Sequence, residues 1–378
     1  MKVPLFKTYS DESDIEAVAA IIRRGSYWAL GPEIEQFENE LAKFLKVKHA
    51  LLFNSGTSAL HLLLKSYGVA GGEVIVPSFT FIATANAVVL AGATPVFAES
   101  EPETFGLDSA DVEKRINGKT RAIVCLHYGG FPSRDSTQLR RIADEHGIVL
   151  IEDAAESLGS HIDGKMVGTF GHAAMFSFCQ NKVISTGEGG LIVTDDQGIF
   201  ERCKLLRSHG RVELAEDYFA SINDNDYIEA GYNLRMPTML AALGLSQFRK
   251  IEKVIQMRRE KAHKLTASLS NVKEITVPKE LPGHFQVYQM YTIQLPDKKT
   301  RDGLQNHLAR RGVMSKIYFN PVHLKTLYTK SYGCRKGDLP STEALSDRVL
   351  NIPLYPGLSD EELQCMIDEI TAFFRGRK

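Results

Sequence analysis

The sequence predicts an α/β protein: a three-layer domain of alternating strands and helices, then a smaller α+β domain. Three observations carry this expectation. Short apolar runs rich in β-branched residues recur between residues 49 and 194. Helical patterns with one apolar face fill the gaps between them. From about Phe248 the texture changes to a long charged helix and shorter strands. At 378 residues the chain is long for a single core, so domains over 1–248 and 249–378 are expected.

The elements follow in order. Asp14–Arg24 places Ile15, Val18, Ala19 and Ile22 on one helical face, with Ser10 or Ser13 as N-cap and Gly25 as the stop. Pro32 opens a second helix, Glu33–Leu45, with Ile34, Phe37, Leu41 and Leu45 inward. Strands are expected at His49–Phe53, Glu73–Pro77, Thr94–Phe97, Arg121–Leu126, Ile148–Glu152, Ala173–Phe178 and Gly190–Thr194. Most are near-continuous apolar runs, as in strands covered by helices on both faces. Thr57–Tyr67, Thr80–Leu90, Ala110–Ile116 and Ser136–His146 supply the intervening helices. Beyond them, Arg249–Leu269 reads as a long helix, Gln286–Leu295 as a strand and Asp360–Phe374 as a last helix.

Composition narrows the function classes. Hydrophobic content of 43% and charged content of 24% fit an ordinary globular protein. A formal net charge of -1 gives no global attraction to nucleic acid or anionic membranes. The N-terminus lacks a signal-peptide core and no apolar run reaches membrane-spanning length, so a cytoplasmic protein is expected. The 5 cysteines are scattered without a Cys-x-x-Cys pair, which argues against a disulfide framework or a zinc site.

Four segments carry the chemistry. Asn54-Ser-Gly-Thr-Ser-Ala-Leu-His61 leaves a strand and opens a helix. Gly56 permits a tight turn, the first helical N–H groups favour an anion, and the Ser55 and Thr57 hydroxyls add donors. An ordinary capped helix reads the same way. There is no P-loop lysine and no dinucleotide-type glycine spacing. Val76-Pro-Ser-Phe-Thr-Phe81 sets two aromatics after a strand, where one could stack on a planar ring or both could pack in the core. Ile148–Asp153 ends an apolar run on an aspartate. Met175-Phe-Ser-Phe-Cys-Gln-Asn-Lys182 leads from an apolar run to a lysine in a loop that closes on glycines. Alone, such a lysine is a solvated residue and such an aspartate a cap. Their ordered occurrence at strand carboxyl ends, where open α/β sheets gather ligands, points to a cofactor aldehyde held by Lys182 and tuned by Asp153.

These residues resemble the DegT/DnrJ/StrS family of pyridoxal-phosphate (PLP)-dependent sugar aminotransferases. The resemblance runs from Gly31-Pro32 and Phe37-Glu38 through Ser55-Gly-Thr57, Pro77-Ser-Phe-Thr-Phe81, Asp153-Ala-Ala-Glu-Ser157 and Gly168-Thr-Phe-Gly171. It continues through Phe176-Ser-Phe178, Lys182, Gly187-Glu-Gly-Gly190, Gly231-Tyr-Asn-Leu-Arg-Met236 and Pro321-Val-His323 to Leu350-Asn-Ile-Pro-Leu-Tyr-Pro356. It implies a PLP fold type I, or aspartate-aminotransferase-like, large domain. It also implies that Lys182 carries PLP as a Schiff base and that Asp153 pairs with the pyridine nitrogen. Ser55, Gly56, Thr57 and Ser177 would hold the phosphate, Phe81 would stack on the ring, and Glu156, often Gln in relatives, would sit near the ring oxygen. Asn233 would reach the cofactor of a neighbouring subunit, implying a homodimer with shared active sites. His323 would contact the nucleotide-sugar, the other reading being a surface turn. No metal is implied.

The expected activity moves an amino group from L-glutamate to a nucleotide-linked keto sugar in amino-sugar or polysaccharide biosynthesis. Relatives with His in place of Lys182 are sugar dehydratases, so the lysine favours transamination. The loop Asn181–Gly190 resembles relatives that aminate C4 of a 4-keto-6-deoxy sugar, such as perosamine synthases. C3 amination is the alternative, then PLP-dependent dehydration. A non-catalytic regulator on the same fold is a distant one.

Overall fold

The central sheet starts from the apolar runs seen in the sequence. The computed structural model describes residues 2–212 and 226–376. The strands are β1 (His49–Phe53), β2 (Glu73–Pro77), β3 (Thr94–Ala98), β4 (Thr120–Leu126) and β5 (Val149–Asp153). A short hairpin of β6 (His161–Ile162) and β7 (Lys165–Met166) follows, then β8 (Ala173–Ser177) and β9 (Gly190–Thr194). β1 to β5, β8 and β9 form one sheet in the order β1-β9-β8-β5-β4-β2-β3. β9 runs antiparallel to both its neighbours, and all other pairs are parallel. The reason is local: loop 178–189 carries no helix, and a parallel return needs a crossover. Gly190 therefore pairs with both Phe53 and Ser177, and the carboxyl ends of β1 and β8 meet on the same edge as that of β5.

Helices α1 (Glu12–Arg24), α2 (Pro32–Leu45), α3 (Gly56–Ser66), α4 (Ala83–Leu90), α5 (Ser109–Arg115), α6 (Ser136–Glu145), α7 (Gln197–Arg207) and α8 (Thr238–Phe248) accompany this sheet. One apolar layer joins Leu60, Leu63 and Leu64 of α3 to Leu51, Val74 and Ile151. Another sets Phe37 and Leu41 of α2 and Leu245 of α8 against Phe176 and Val193. Truncating a fully buried ring such as Phe37 costs about 3–5 kcal/mol. The N-cap of α1 is Asp11, not Ser10 or Ser13. Its carboxylate accepts from Ser13 N (3.1 Å) while Asp14 accepts from Asp11 N (3.0 Å), a reciprocal capping box. Gly25 closes the helix in the left-handed region at φ 70° and Pro32 opens α2, as expected.

α9 (Ile251–Leu269) leads into the remaining elements: β10 (His284–Phe285), β11 (Tyr291–Gln294), α10 (Lys298–Arg310), α11 (Thr326–Ser331), α12 (Pro340–Arg348), β12 (Val349–Ile352) and α13 (Asp360–Arg375). β11 and β12 pair antiparallel, and α9, α10 and α13 pack on them through Leu265, Leu304, Ile352 and Ile370. The expected strand over Gln286–Leu295 forms only from Tyr291. Its first half turns toward the large sheet, where Val287 N and Met290 N donate to Gly130 O (3.4 Å) and Gly129 O (3.0 Å). Among the described residues no helix is long and apolar enough to cross a membrane.

A partly buried ion cluster ties the start of the chain to α9. Lys250 Nζ lies 2.7 Å from both Asp11 Oδ1 and Asp14 Oδ1, and Ser246 and Gln247 also donate to Asp14. Burial opposes the Asp14 charge, but these donors and the Lys250 charge hold its carboxyl below the usual range. That stabilisation is present above the ordinary value of 3.8 and is lost as pH falls through the lower, folded value. Lys250→Met is expected to cost about 1 kcal/mol at pH 7 in urea denaturation, because Asp14 loses its cationic partner while Ser246 and Gln247 still donate to it. The difference from wild type should shrink as acid protonates Asp14; a pH-independent difference would assign the loss to packing.

Candidate active site

The carboxyl edge of the sheet gathers the expected groups. At the end of β1, Ser55 caps α3, its Oγ accepting from Ser58 N at 3.1 Å. The Gly56 and Thr57 N–H groups remain as first-turn donors with no intrahelical carbonyl. A Cβ on Gly56 would come within 3.1 Å of Met175 Sδ and Ser177 Cβ, so glycine lets the helix start lie against the end of β8. Ser177 is half-buried and its Oγ accepts from Cys179 N (3.3 Å). The segment around Asn233 runs beside this cradle, since Asn54 N donates to Leu234 O at 2.9 Å. Asn233 itself is exposed and bridges Ser208.

The two aromatics after β2 divide their tasks. Phe79 is fully buried, its ring 5.2 Å from Tyr128. Phe81 is 60% exposed, so it is the ring of the two that is available for stacking.

Asp153 ends β5, flanked in register by Leu126 and Met175. Its carboxylate is buried and accepts from Thr84 Oγ1 (2.7 Å) and Ala155 N (3.2 Å). Burial pushes the carboxyl upward; these two donors and the more distant Lys182 charge only partly offset it. Thr84 is in turn held by Thr80 at 2.9 Å. Lys182 Nζ donates to Glu156 Oε1 (3.2 Å), and Glu156 Oε2 accepts from Gly129 N (2.8 Å). Lys182, Glu156 and Asp153 thus form one compact polar group between β5 and the loop after β8.

Behind them the neighbouring side chain points the other way. Glu152 accepts from His127 Nε2 (2.8 Å), Gly168 N (2.8 Å) and Gly171 N (2.6 Å). Ser133 N donates to His127 Nδ1 (3.0 Å), which places the ring proton on Nε2. The Gly168–Gly171 segment of the motif therefore closes a buried carboxylate and holds β5 in place.

His323 departs from the expectation. It is 1% exposed, neither at the surface nor presented to a ligand. Nδ1 lies 2.6 Å from Ser78 Oγ and Nε2 3.2 Å from Glu343 Oε1, so both nitrogens are occupied within the protein. The Pro-Val-His spacing could not show that Glu343 arrives from α12. Sequence reading also missed Thr84, although Thr80 and Thr84 stand at helical i, i+4 spacing. Gly129, whose N–H holds Glu156, was missed with no such signal. Among the described residues no cluster of His, Cys, Asp and Glu could hold a metal.

The sequence profile of the DegT/DnrJ/EryC1/StrS aminotransferase family matches residues 8–371. GDP-perosamine synthase of Vibrio cholerae is 36% identical over 375 residues, 98% of this chain and 99% of that protein. The dTDP-4-dehydro-2,3,6-trideoxy-D-glucose 4-aminotransferase of Saccharopolyspora spinosa is 34% identical over 365 residues, 94% of this chain and 92% of that one. The structure of Helicobacter pylori PseC, an aminotransferase in pseudaminic acid biosynthesis, superposes with TM-score 0.93 at 29% identity, covering 100% of both chains. The fold class expected from the sequence is the one these proteins share.

The Asp153 environment generates a stability prediction. Because its folded value lies above the ordinary 3.8, the folded chain holds a proton that the unfolded chain releases. The penalty begins above pH 3.8 and is complete once pH exceeds the folded value. Without added cofactor, Asp153→Asn should match wild type at acidic pH and exceed it by about 1 kcal/mol or more at pH 8 in urea titrations. A mutant less stable than wild type at pH 8 would show that the carboxylate is well compensated already.

Proposed function

The chain belongs to the DegT/DnrJ/EryC1/StrS aminotransferase family, and from that premise we propose a PLP-dependent sugar aminotransferase. In this reading it takes the amino group of L-glutamate and delivers it to a nucleotide-linked keto sugar, at C4 of a 4-keto-6-deoxy sugar. The observation that carries the reading is the buried carboxylate of Asp153, next to Lys182 and directly bonded only to neutral donors.

The residues present fit the cofactor on two counts. A buried aspartate with this environment calls for a cation, which a protonated pyridine nitrogen would supply. The Gly56 cradle leaves a helix N-terminus bare of a Cβ where a phosphate would be held. When bound, PLP supplies an aldehyde that carries nitrogen between donor and acceptor and a ring that withdraws electrons.

The chain's own groups then have distinct tasks. Lys182 is the amine that would hold the cofactor aldehyde and that, when free, would move a proton as base and acid. Glu156 orients that amine at 3.2 Å. Asp153, fixed by Thr84 and Ala155 N, would pair with the ring nitrogen and favour its protonated form. Ser55, Gly56, Thr57 and Ser177 hold the phosphate, and Phe81 covers one ring face. Asn233, exposed beside the cradle, serves the active site of a second subunit in a homodimer working in the cytoplasm. The C4 assignment is supported by the loop Asn181–Gly190 and by the 4-aminotransferase and perosamine synthase among the relatives. Lys182, where dehydratase relatives carry His, supports transamination.

Borohydride reduction of PLP-reconstituted protein, followed by peptide mapping, should place the label on Lys182. With amino-labelled glutamate and a panel of 3- and 4-keto nucleotide-sugars, label should appear at C4; dehydration without label would refute transamination. Asp153→Ala should lose about 10²-fold or more in turnover while remaining folded. Near wild-type amination by that variant would remove Asp153 from the mechanism.

A further inference from the structure

The loop that presents Lys182 is held by side chains from both ends of the sequence. Thr8 Oγ1 donates to Gln180 O at 2.9 Å. Gln289 Nε2 donates to Asn181 O. Lys182 N itself donates back to Cys179 O at 2.9 Å, so the two straps grip the carbonyls immediately before the lysine. Gln289 is 5% exposed, and its Oε1 is buried with no hydrogen-bond partner among the described residues. An amide with one unsatisfied end is costly in such a place. The contact it does make, to Asn181 O, is what its polarity achieves there.

Gln289 also belongs to a closed circuit. Lys182 Nζ reaches Glu156 Oε1, Glu156 Oε2 accepts from Gly129 N, and Gly129 O accepts from Met290 N. Gln289, next to Met290, returns to Asn181, next to Lys182. The approach is tight: a Cβ on Gly130 would come within 2.8 Å of Gln289 N. Arg258, buried under this segment, donates to Tyr288 O (3.3 Å), Gln289 O (3.4 Å) and Leu354 O (3.3 Å), tying it to α9 and to the segment after β12. Gln289 thus bonds the backbone that carries the amine, while its neighbour Met290 bonds Gly129, which supports the Glu156 carboxylate that holds the amine.

We propose that Gln289 is a positioning residue for Lys182, with Thr8 as a second, weaker strap on the same loop. Its importance for turnover rests on the reading of Lys182 as the cofactor lysine; the restraint itself does not. Gln289→Met keeps the length of the side chain and removes the donor. Thr8 is exposed, so Thr8→Val leaves the core intact.

The test is reductive methylation of the cofactor-free full chain at several pH values, with mass mapping of individual lysines and exposed Lys43 as reference. Gln289→Met should raise the Lys182 rate about five-fold relative to wild type, the change in loop opening expected when one hydrogen bond is lost. Lys43 should not change, and Thr8→Val should move Lys182 in the same direction by less. In the reconstituted protein, the absorbance-detected pH titration of the Lys182 linkage should shift in Gln289→Met. An unchanged Lys182 rate in folded Gln289→Met, or an equal rise at Lys43, overturns the proposal. If Gln289→Met does not fold, Thr8→Val decides: faster Lys182 labelling supports the strap and an unchanged rate overturns it. Wild type that attaches PLP at Lys182 but whose labelling ignores Gln289 defeats this inference alone.

Discussion

The burial of the Asp153 carboxyl is the constraint around which the cleft is arranged. A carboxylate at the end of a central strand, almost without solvent, is unfavourable unless something cationic answers it. The protein gives it a hydroxyl and one backbone N–H, enough to orient it and too little to neutralise it. Lys182, the nearest candidate, is instead bonded to Glu156. The site therefore keeps a buried carboxyl held above its ordinary range, whose charged form a cation from outside the chain would favour. A purely structural aspartate would be better served by the arrangement found one residue away, where Glu152 receives two backbone N–H groups and a histidine.

This arrangement depends on the edge geometry of the sheet. Because β9 reverses, the ends of β1 and β8 meet at Gly190 and the cradle of α3 sits beside the lysine loop. A Cβ on Gly190 would lie 2.3 Å from Ser55 O, so the junction is closed by glycine on one side and by Gly56 on the other. The same economy recurs where Gly129 and Gly130 let residues 287–290 approach the large sheet. Segments distant in sequence thereby converge on one amine.

Much of this was legible in the sequence because local physics decided it. Strands β1, β2 and β9 have the expected bounds; in β2 and β9 β-branched apolar runs leave little freedom, and in β1 the apolar run ends at the polar turn of Asn54 and Ser55. The sequence pairs Lys182 with Asp153, the resemblance adds Glu156 near the same ring, and the structure brings the three together. What was not legible depended on partners far along the chain. The cap of α1 went to Asp11 because a carboxylate there can also meet Lys250. The strand expected from Gln286 starts late because Gly129 and Gly130 capture its first half. His323 was read as a ligand contact or a surface turn, and burial between Ser78 and Glu343 makes it neither. Alternation of residue types does not encode such meetings.

The central claim is that Asp153 holds a cationic ring nitrogen, and nitrogen resonance spectroscopy addresses it most directly. With PLP labelled by ¹⁵N in the ring and bound to the wild type at neutral pH, the spectrum should show a protonated pyridine nitrogen. The same cofactor bound to Asp153→Asn should show a neutral one. A neutral nitrogen in the wild type, or identical spectra for the two proteins, would contradict the account.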